Sequence, residues 1–328
     1  MNIAVLMTCY NRKETTLRCL ASLLQAMRRV ASQGGEKTFH LFLVDDGSSD
    51  GTSEAVRKWH EEVRPFANFN FRLKLIAGTG DLFWSRGMAL AWKEALRCEQ
   101  GQLFAADAFS HFLWLNDDVF LDTDALQVLL ADAEFKADHR QEAKAAYAQL
   151  VREGACERMS AAKLNGVGRF LLSCRSGEDA LEEAKMCARA LIANGQSPAW
   201  RQTGYILQAQ AEEAAGEFSS AIDSYAHGFA EKIRTESSPD AALCYGILLS
   251  KADRHVEADK VLKEAVSLNA KDASRRARAY LWLAKNSEAM TDYHGACAYA
   301  TVVVTLFDNA EIVAEAKRIL EEHAEEAK

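Results

Sequence analysis

Apolar residues in the first 130 positions follow two alternating rhythms. Short runs dominated by apolar residues, at 3–7, 39–44, 71–76 and 111–115, suit strands covered on both faces. Between them the apolar positions recur at three and four. Leu17, Leu20, Leu23, Leu24 and Met27 predict a helix over about 14–30, closed by Gly34-Gly35. A second helix is predicted over about 53–63, and a third carries Met88, Leu90, Ala91, Trp92 and Leu96. Strands alternating with helices imply right-handed crossovers and a parallel sheet, whose ligands bind beyond the carboxyl ends of the strands.

Past Leu130 the rhythm changes. From Asp132 onward the chain is rich in alanine, glutamate, leucine and lysine, shows no strand-like alternation, and places Pro198 and Pro239 where helices start. This stretch also repeats: Ala184, Ala221, Ala258 and Ala296 follow one another at spacings of 37, 37 and 38 residues, each opening a similar segment. An earlier copy is expected from Ala146. A small residue lets a paired helix approach closely, and units that cannot bury their faces alone stack into a solenoid. The expected fold class is therefore α/β followed by all-α, with a sheet domain at 1–132 and helical repeats at 133–328.

Composition narrows the classes. A chain of 328 residues, 49% hydrophobic, is long enough for about two domains. Its 39 basic against 47 acidic side chains, a net charge of -8 with no basic block, disfavour nucleic acid or an anionic membrane as partner. Eight cysteines without a Cys-x-x-Cys pair read as buried thiols in a reducing compartment. The apolar start at 1–6 is too short for a signal peptide, and no run approaches the ~18 residues of a membrane span. A soluble, cytoplasmic chain with no transmembrane segment is the expectation. No Gly-x-Ser-x-Gly elbow or Walker loop points to a hydrolase or an NTPase. The histidines show no paired ligand spacing and read as solvated or core.

Candidate chemistry gathers in four polar loops, one at the end of each predicted strand. They are Thr8-Cys9-Tyr10-Asn11-Arg12, Asp45-Asp46-Gly47-Ser48-Ser49-Asp50-Gly51-Thr52, Gly78-Thr79-Gly80-Asp81-Leu82-Phe83-Trp84 and Asn116-Asp117-Asp118. Paired carboxylates beyond a strand suit a divalent cation held against phosphates, since hard oxygen ligands favour Mg2+ or Mn2+. The second loop is expected to cap the next helix and leave two carboxylates pointing outward. Three of the loops also have a plainer reading: Asp45, Asp46 and Asp50 as turn and cap residues, Asn116-Asp117-Asp118 as a strand-to-turn transition, Phe83 and Trp84 as core.

Taken together, the four motifs resemble the nucleotide-sugar-binding half of family 2 glycosyltransferases of the GT-A fold, in a rhamnosyltransferase-like branch. The resemblance covers about 125 residues and implies a truncated, Rossmann-like parallel-sheet domain that binds a nucleotide-diphosphate sugar and performs metal-dependent, inverting transfer. It implies that Tyr10 packs near the nucleobase and that Asp46, with Asp45 beside it, bonds the base or ribose. Asp118 would hold Mn2+ or Mg2+, with Asn116 and Asp117 touching ribose, sugar or metal. Thr8, Asn11, Arg12, Gly78, Gly80, Asp81 and Trp84 complete the expected donor site. Arg86 stands where many members carry an arginine near the phosphates, although Gly87 replaces the asparagine often found next. Farther on, Ala215-Gly216-Glu217-Phe218 to Tyr225 resembles a tetratricopeptide repeat, and Asp253-Arg254-His255 and Thr291-Asp292-Tyr293 stand at the matching places. The array, roughly 140–328, implies a protein or peptide partner. What is missing is the acceptor half of about a hundred residues that normally follows the metal motif, and with it the general base. Asp122 and Asp124 read as the cap of a helix over 125–131.

Overall fold

Strands β1 (Asn2–Cys9), β2 (Lys37–Asp45), β3 (Phe69–Ala77) and β4 (His111–Trp114) form on the four apolar runs. The first three extend beyond those runs because their polar ends still pair. All neighbours are parallel, in the order β3-β2-β1-β4. In β1 the side chains alternate between two cores. Ile3, Val5 and Met7 pack with α1 (Lys13–Ala31) and α2 (Thr52–Glu62), while Ala4 and Leu6 pack against α3 (Phe83–Glu99). Both faces of the sheet are thus covered, which is why these strands read as continuous apolar runs.

The computed structural model describes residues 1–63, 69–99, 109–174, 178–195, 197–323 and 325–326. Within them the chain divides into two compact units, Met1–Ala146 and Tyr147–Lys328. The first unit also contains α4 (Ala125–Lys136), packed on α1, and the start of α5 (Arg140–Arg152). Helix α4 runs past the expected end at 131. Its N-cap residue Asp124 makes no side-chain cap, and its carboxylate instead meets Arg29 on α1 at 3.5 Å.

The second unit is helical throughout its described residues. After a 3-10 turn at Ala155–Arg158 come α6 (Ala161–Ser173), α7 (Glu178–Asn194), α8 (Pro198–Ala214), α9 (Phe218–Ala230) and α10 (Ser238–Lys251). They are followed by α11 (His255–Leu268), α12 (Ala273–Ala289), α13 (Tyr293–Leu306) and α14 (Ala310–Glu322). Each helix from α6 on packs against the next, and the even-numbered ones also touch one another in series. That is the contact pattern of stacked hairpins. Ala184, Ala221, Ala258 and Ala296 are all fully buried on the odd-numbered helices, as their spacing predicts. The described cysteines are free thiols; the side chain of Cys98 lies outside the described residues.

The hairpin turns share one backbone device. Gly216, Asp253 and Thr291 are left-handed, with φ of 80°, 57° and 60°. The next residue's N–H donates back to the carbonyl five residues earlier at 2.9 Å in each turn: Glu217 to Glu212, Arg254 to Leu249, Asp292 to Ser287. This is the Schellman closure of a helix. A fourth turn of the same kind joins α4 to α5, with Asp138 at φ 60° and His139 N–H on the Glu134 carbonyl at 2.9 Å. In its register the buried alanine is Ala143, not Ala146, which is only half-buried. The earliest copy therefore starts three residues before the position expected from alanine spacing.

Candidate functional site

The order β3-β2-β1-β4 places a switch point between β1 and β4: from β1 the chain runs outward through α1 and α2 on one face, and it returns to β4 through α3 on the other. The Thr8–Arg12 loop borders this point from β1. Asn11 is left-handed at φ 50°. Its N–H donates to Ser48 Oγ at 2.8 Å, and its Oδ1 accepts from Ser49 N–H at 2.7 Å. Asp50 then accepts from Lys13 N–H and Thr52 N–H, both at 3.0 Å, so one carboxylate serves the first turns of α1 and α2.

Asp45 and Asp46 turn inward instead of pointing out, and both are buried. Asp45 accepts from Ser48 N–H at 3.0 Å and from the Ser53 hydroxyl. Asp46 Oδ1 accepts from Gly80 N–H at 2.8 Å, and Oδ2 from Leu82 N–H at 2.9 Å and Phe83 N–H at 3.0 Å. The third loop is thus wrapped around one carboxylate. Gly78 makes this fit possible, since a Cβ there would lie 2.6 Å from Asp46 Oδ1. The same loop holds Phe83 at φ 55°, a strained conformation for an aromatic residue, and the residue is 74% exposed.

One face of α1 grips the fourth loop. Cys19 Sγ–H donates to the Asn116 carbonyl at 3.4 Å, Thr16 hydroxyl to Asp117 Oδ2 at 3.5 Å, and Ser22 Oγ accepts from Leu121 N–H at 3.1 Å. Burial pushes the Asp117 carboxyl up, Arg12 opposes the rise and Asp118 adds to it. Asn116 Oδ1 accepts from Trp84 Nε1–H at 2.8 Å, which ties the third loop to the fourth. Burial likewise pushes the Cys19 thiol up to about 12, so it serves as packing and not as a nucleophile.

These loops enclose a cavity of about 330 Å3. Of the residues expected from sequence, Thr8, Tyr10, Arg12, Asp46, Gly80, Trp84, Asn116, Asp117 and Asp118 line it. Asn11, Asp45, Gly78 and Asp81 stand behind it and shape the loops. Arg86 is not at the wall: its guanidinium donates to the Asp81 carbonyl and lies over the Phe83 ring at 5.9 Å. Gly87 has a reason of its own, because a Cβ there would meet Thr8 Oγ1 at 2.4 Å. Two lining residues were absent from the expected donor site, Cys9 and Phe83. Phe83 carried a readable signal, since Leu82, Phe83 and Trp84 in a row cannot all face one core.

A second cluster lies at the far end of the chain. Glu288, Glu322 and His323 have ligand atoms close enough to hold a cation. Both His323 nitrogens are already engaged, with Glu288 and Glu326 at 2.8 Å each, and the ring stacks on Tyr293. Here the histidine, read as bland from sequence, closes the last helices on one another.

An open parallel sheet with a ligand-sized cavity at its switch point defines the first unit as an α/β domain of the open-sheet type. More narrowly, residues 4–139 match the family described as Glycosyl transferase family 2, and helical repeats follow the matched stretch. No curated protein matches the chain. Solved structures similar to it include a tetratricopeptide repeat protein from Parabacteroides merdae, 17% identical over 61% of this chain and 74% of that one, TM-score 0.45. Pseudomonas aeruginosa pilF is 18% identical over 60% and 81%, TM-score 0.44. A thermophilic TPR protein in Thermus thermophilus is 15% identical over 60% and 98%, TM-score 0.36. With TM-scores this low, the repeat architecture rests on the turns and contacts described above. Among the described residues no helix is long and apolar enough to cross a membrane.

Proposed function

We propose that the first unit binds a nucleoside-diphosphate sugar with a divalent cation, and that the chain is an inverting glycosyltransferase joined to a protein-binding repeat array. The observation that carries this reading is the meeting of all four motif loops on one cavity at the switch point. Tyr10, more than half exposed, is the surface for the nucleobase. Asp46 Oδ1 accepts one bond and retains capacity for a ribose hydroxyl, whereas Asp45 is committed to its own loop. Asp117 and Asp118 supply hard oxygens, a donor set that fits Mn2+ or Mg2+ completed by phosphate and water. Such a cation would neutralise the leaving diphosphate. The even-numbered helices of the array form the surface on which a peptide would lie.

A second reading has its own support. Every carboxylate on the cavity wall is already bonded: Asp46 to amides, Asp117 to Thr16 and Arg12, Asp118 to Arg12. None is left as a general base, and the described sheet ends at β4. This favours a donor-binding remnant without turnover on a protein-recruiting scaffold. Release of nucleoside diphosphate from UDP-, GDP- and dTDP-sugars by the full chain with Mn2+ separates the two. Sustained release supports the enzyme; donor binding without release supports the remnant; no donor binding defeats both.

A further inference from the structure

Arg12 occupies the carboxylates assigned to the cation. Its Nη1 lies 3.4 Å from Asp117 Oδ1 and 3.1 Å from Asp118 Oδ2. The backbone on either side is pinned, by Asn11 against Ser48 and Ser49 and by Lys13 against Asp50. The side chain therefore starts from a fixed point at the cavity mouth. Its far end is loosely held: Arg12 is 53% and Asp118 51% exposed, and the contact with the buried Asp117 is the longer of the two. The open Arg12–Asp118 pair is worth at most about 1 kcal/mol. It can be exchanged for a stronger partner on either side.

We propose that Arg12 is the resident counter-ion of the Asp117–Asp118 pair and trades places with the incoming cation. The inference rests on the metal reading above. When a cation arrives with a diphosphate, the carboxylates take the cation and the guanidinium moves to phosphate oxygens, which match its planar fork. A cation arriving alone must displace Arg12 with no new anion to receive it. Metal and diphosphate are then coupled through one side chain: each binds better when the other is present.

The opposite role is equally concrete. If Arg12 only props the two carboxylates in place, removing it loosens them and weakens the metal. The sign of one measurement therefore decides. Mn2+ binding to the full chain is followed by electron paramagnetic resonance, with and without UDP, for the wild type, Arg12→Ala, Arg12→Gln and Asp118→Ala. Without UDP, both Arg12 variants should bind Mn2+ about fivefold tighter, the equivalent of ~1 kcal/mol. The gain in Mn2+ affinity on adding UDP should shrink by a similar factor. Unchanged or weaker Mn2+ binding in both Arg12 variants overturns the exchange. If Asp118→Ala still abolishes Mn2+ binding in that case, the metal reading stands and only the exchange falls. If UDP binds but Mn2+ binds none of the proteins, both fall.

Discussion

The Asp46 carboxylate accepts three backbone amides in a place nearly closed to water. Charge-assisted bonds of this kind are stronger than neutral ones, and an amide in place of the carboxylate would turn its NH2 toward donors. Asp46→Asn should therefore cost about 2–3 kcal/mol in urea unfolding. Asp81→Asn, in the exposed part of the same loop, should stay within about 0.5 kcal/mol. Equal effects would mean that Asp46 does not hold the loop. At this scale the sequence shows which residues gather but not which way they turn. Asp45-Asp46-Gly47-Ser48 signals a turn whether its carboxylates face water or a neighbouring loop. Only the arrival of Gly80, Leu82 and Phe83 from 34 or more positions away decides it.

At the scale of the element, the left-handed turn residues explain how far the repeats can drift. Gly216 takes φ 80° without strain, whereas Thr291 holds φ 60° with a β-branched side chain. Thr291→Gly should thus stabilise the protein by about 1 kcal/mol, read as a shift of the urea midpoint, and Gly216→Ala should destabilise it by a similar amount. A neutral result for both would show that the turns carry no strain. Strands and helices were readable because apolar period marks buried faces. Alanine spacing puts the first repeat three residues late, because the turn at Asp138 sets its register. His323 was beyond reach, since its partner Glu288, 35 positions away, arrives only when α12 and α14 pack. Hydrogen bonds to Glu326 and Glu288 hold its pKa above the ordinary ~6.5. A raised folded pKa gives stability that is fully present below that ordinary value and is lost as pH rises through the folded one. His323→Gln should accordingly lower the melting temperature more at pH 6 than at pH 9. Equal losses at both would assign the residue to packing alone.

On the scale of the whole molecule, the family match ends at residue 139, one position past the left-handed turn residue Asp138. The matched stretch thus closes on a turn of the same kind as those between the repeats, and no strand follows β4 among the described residues. Function turns first on whether the cavity still takes a donor. Titration calorimetry of UDP-, GDP- and dTDP-sugars into the full chain, with and without Mn2+, and into Asp118→Ala, addresses that directly. One nucleotide sugar should bind with an affinity that rises at least tenfold with Mn2+, and Asp118→Ala should remove the Mn2+ dependence, a loss of about 1.4 kcal/mol or more. Binding of no nucleotide sugar, or binding indifferent to both Mn2+ and Asp118, would contradict the donor site proposed here.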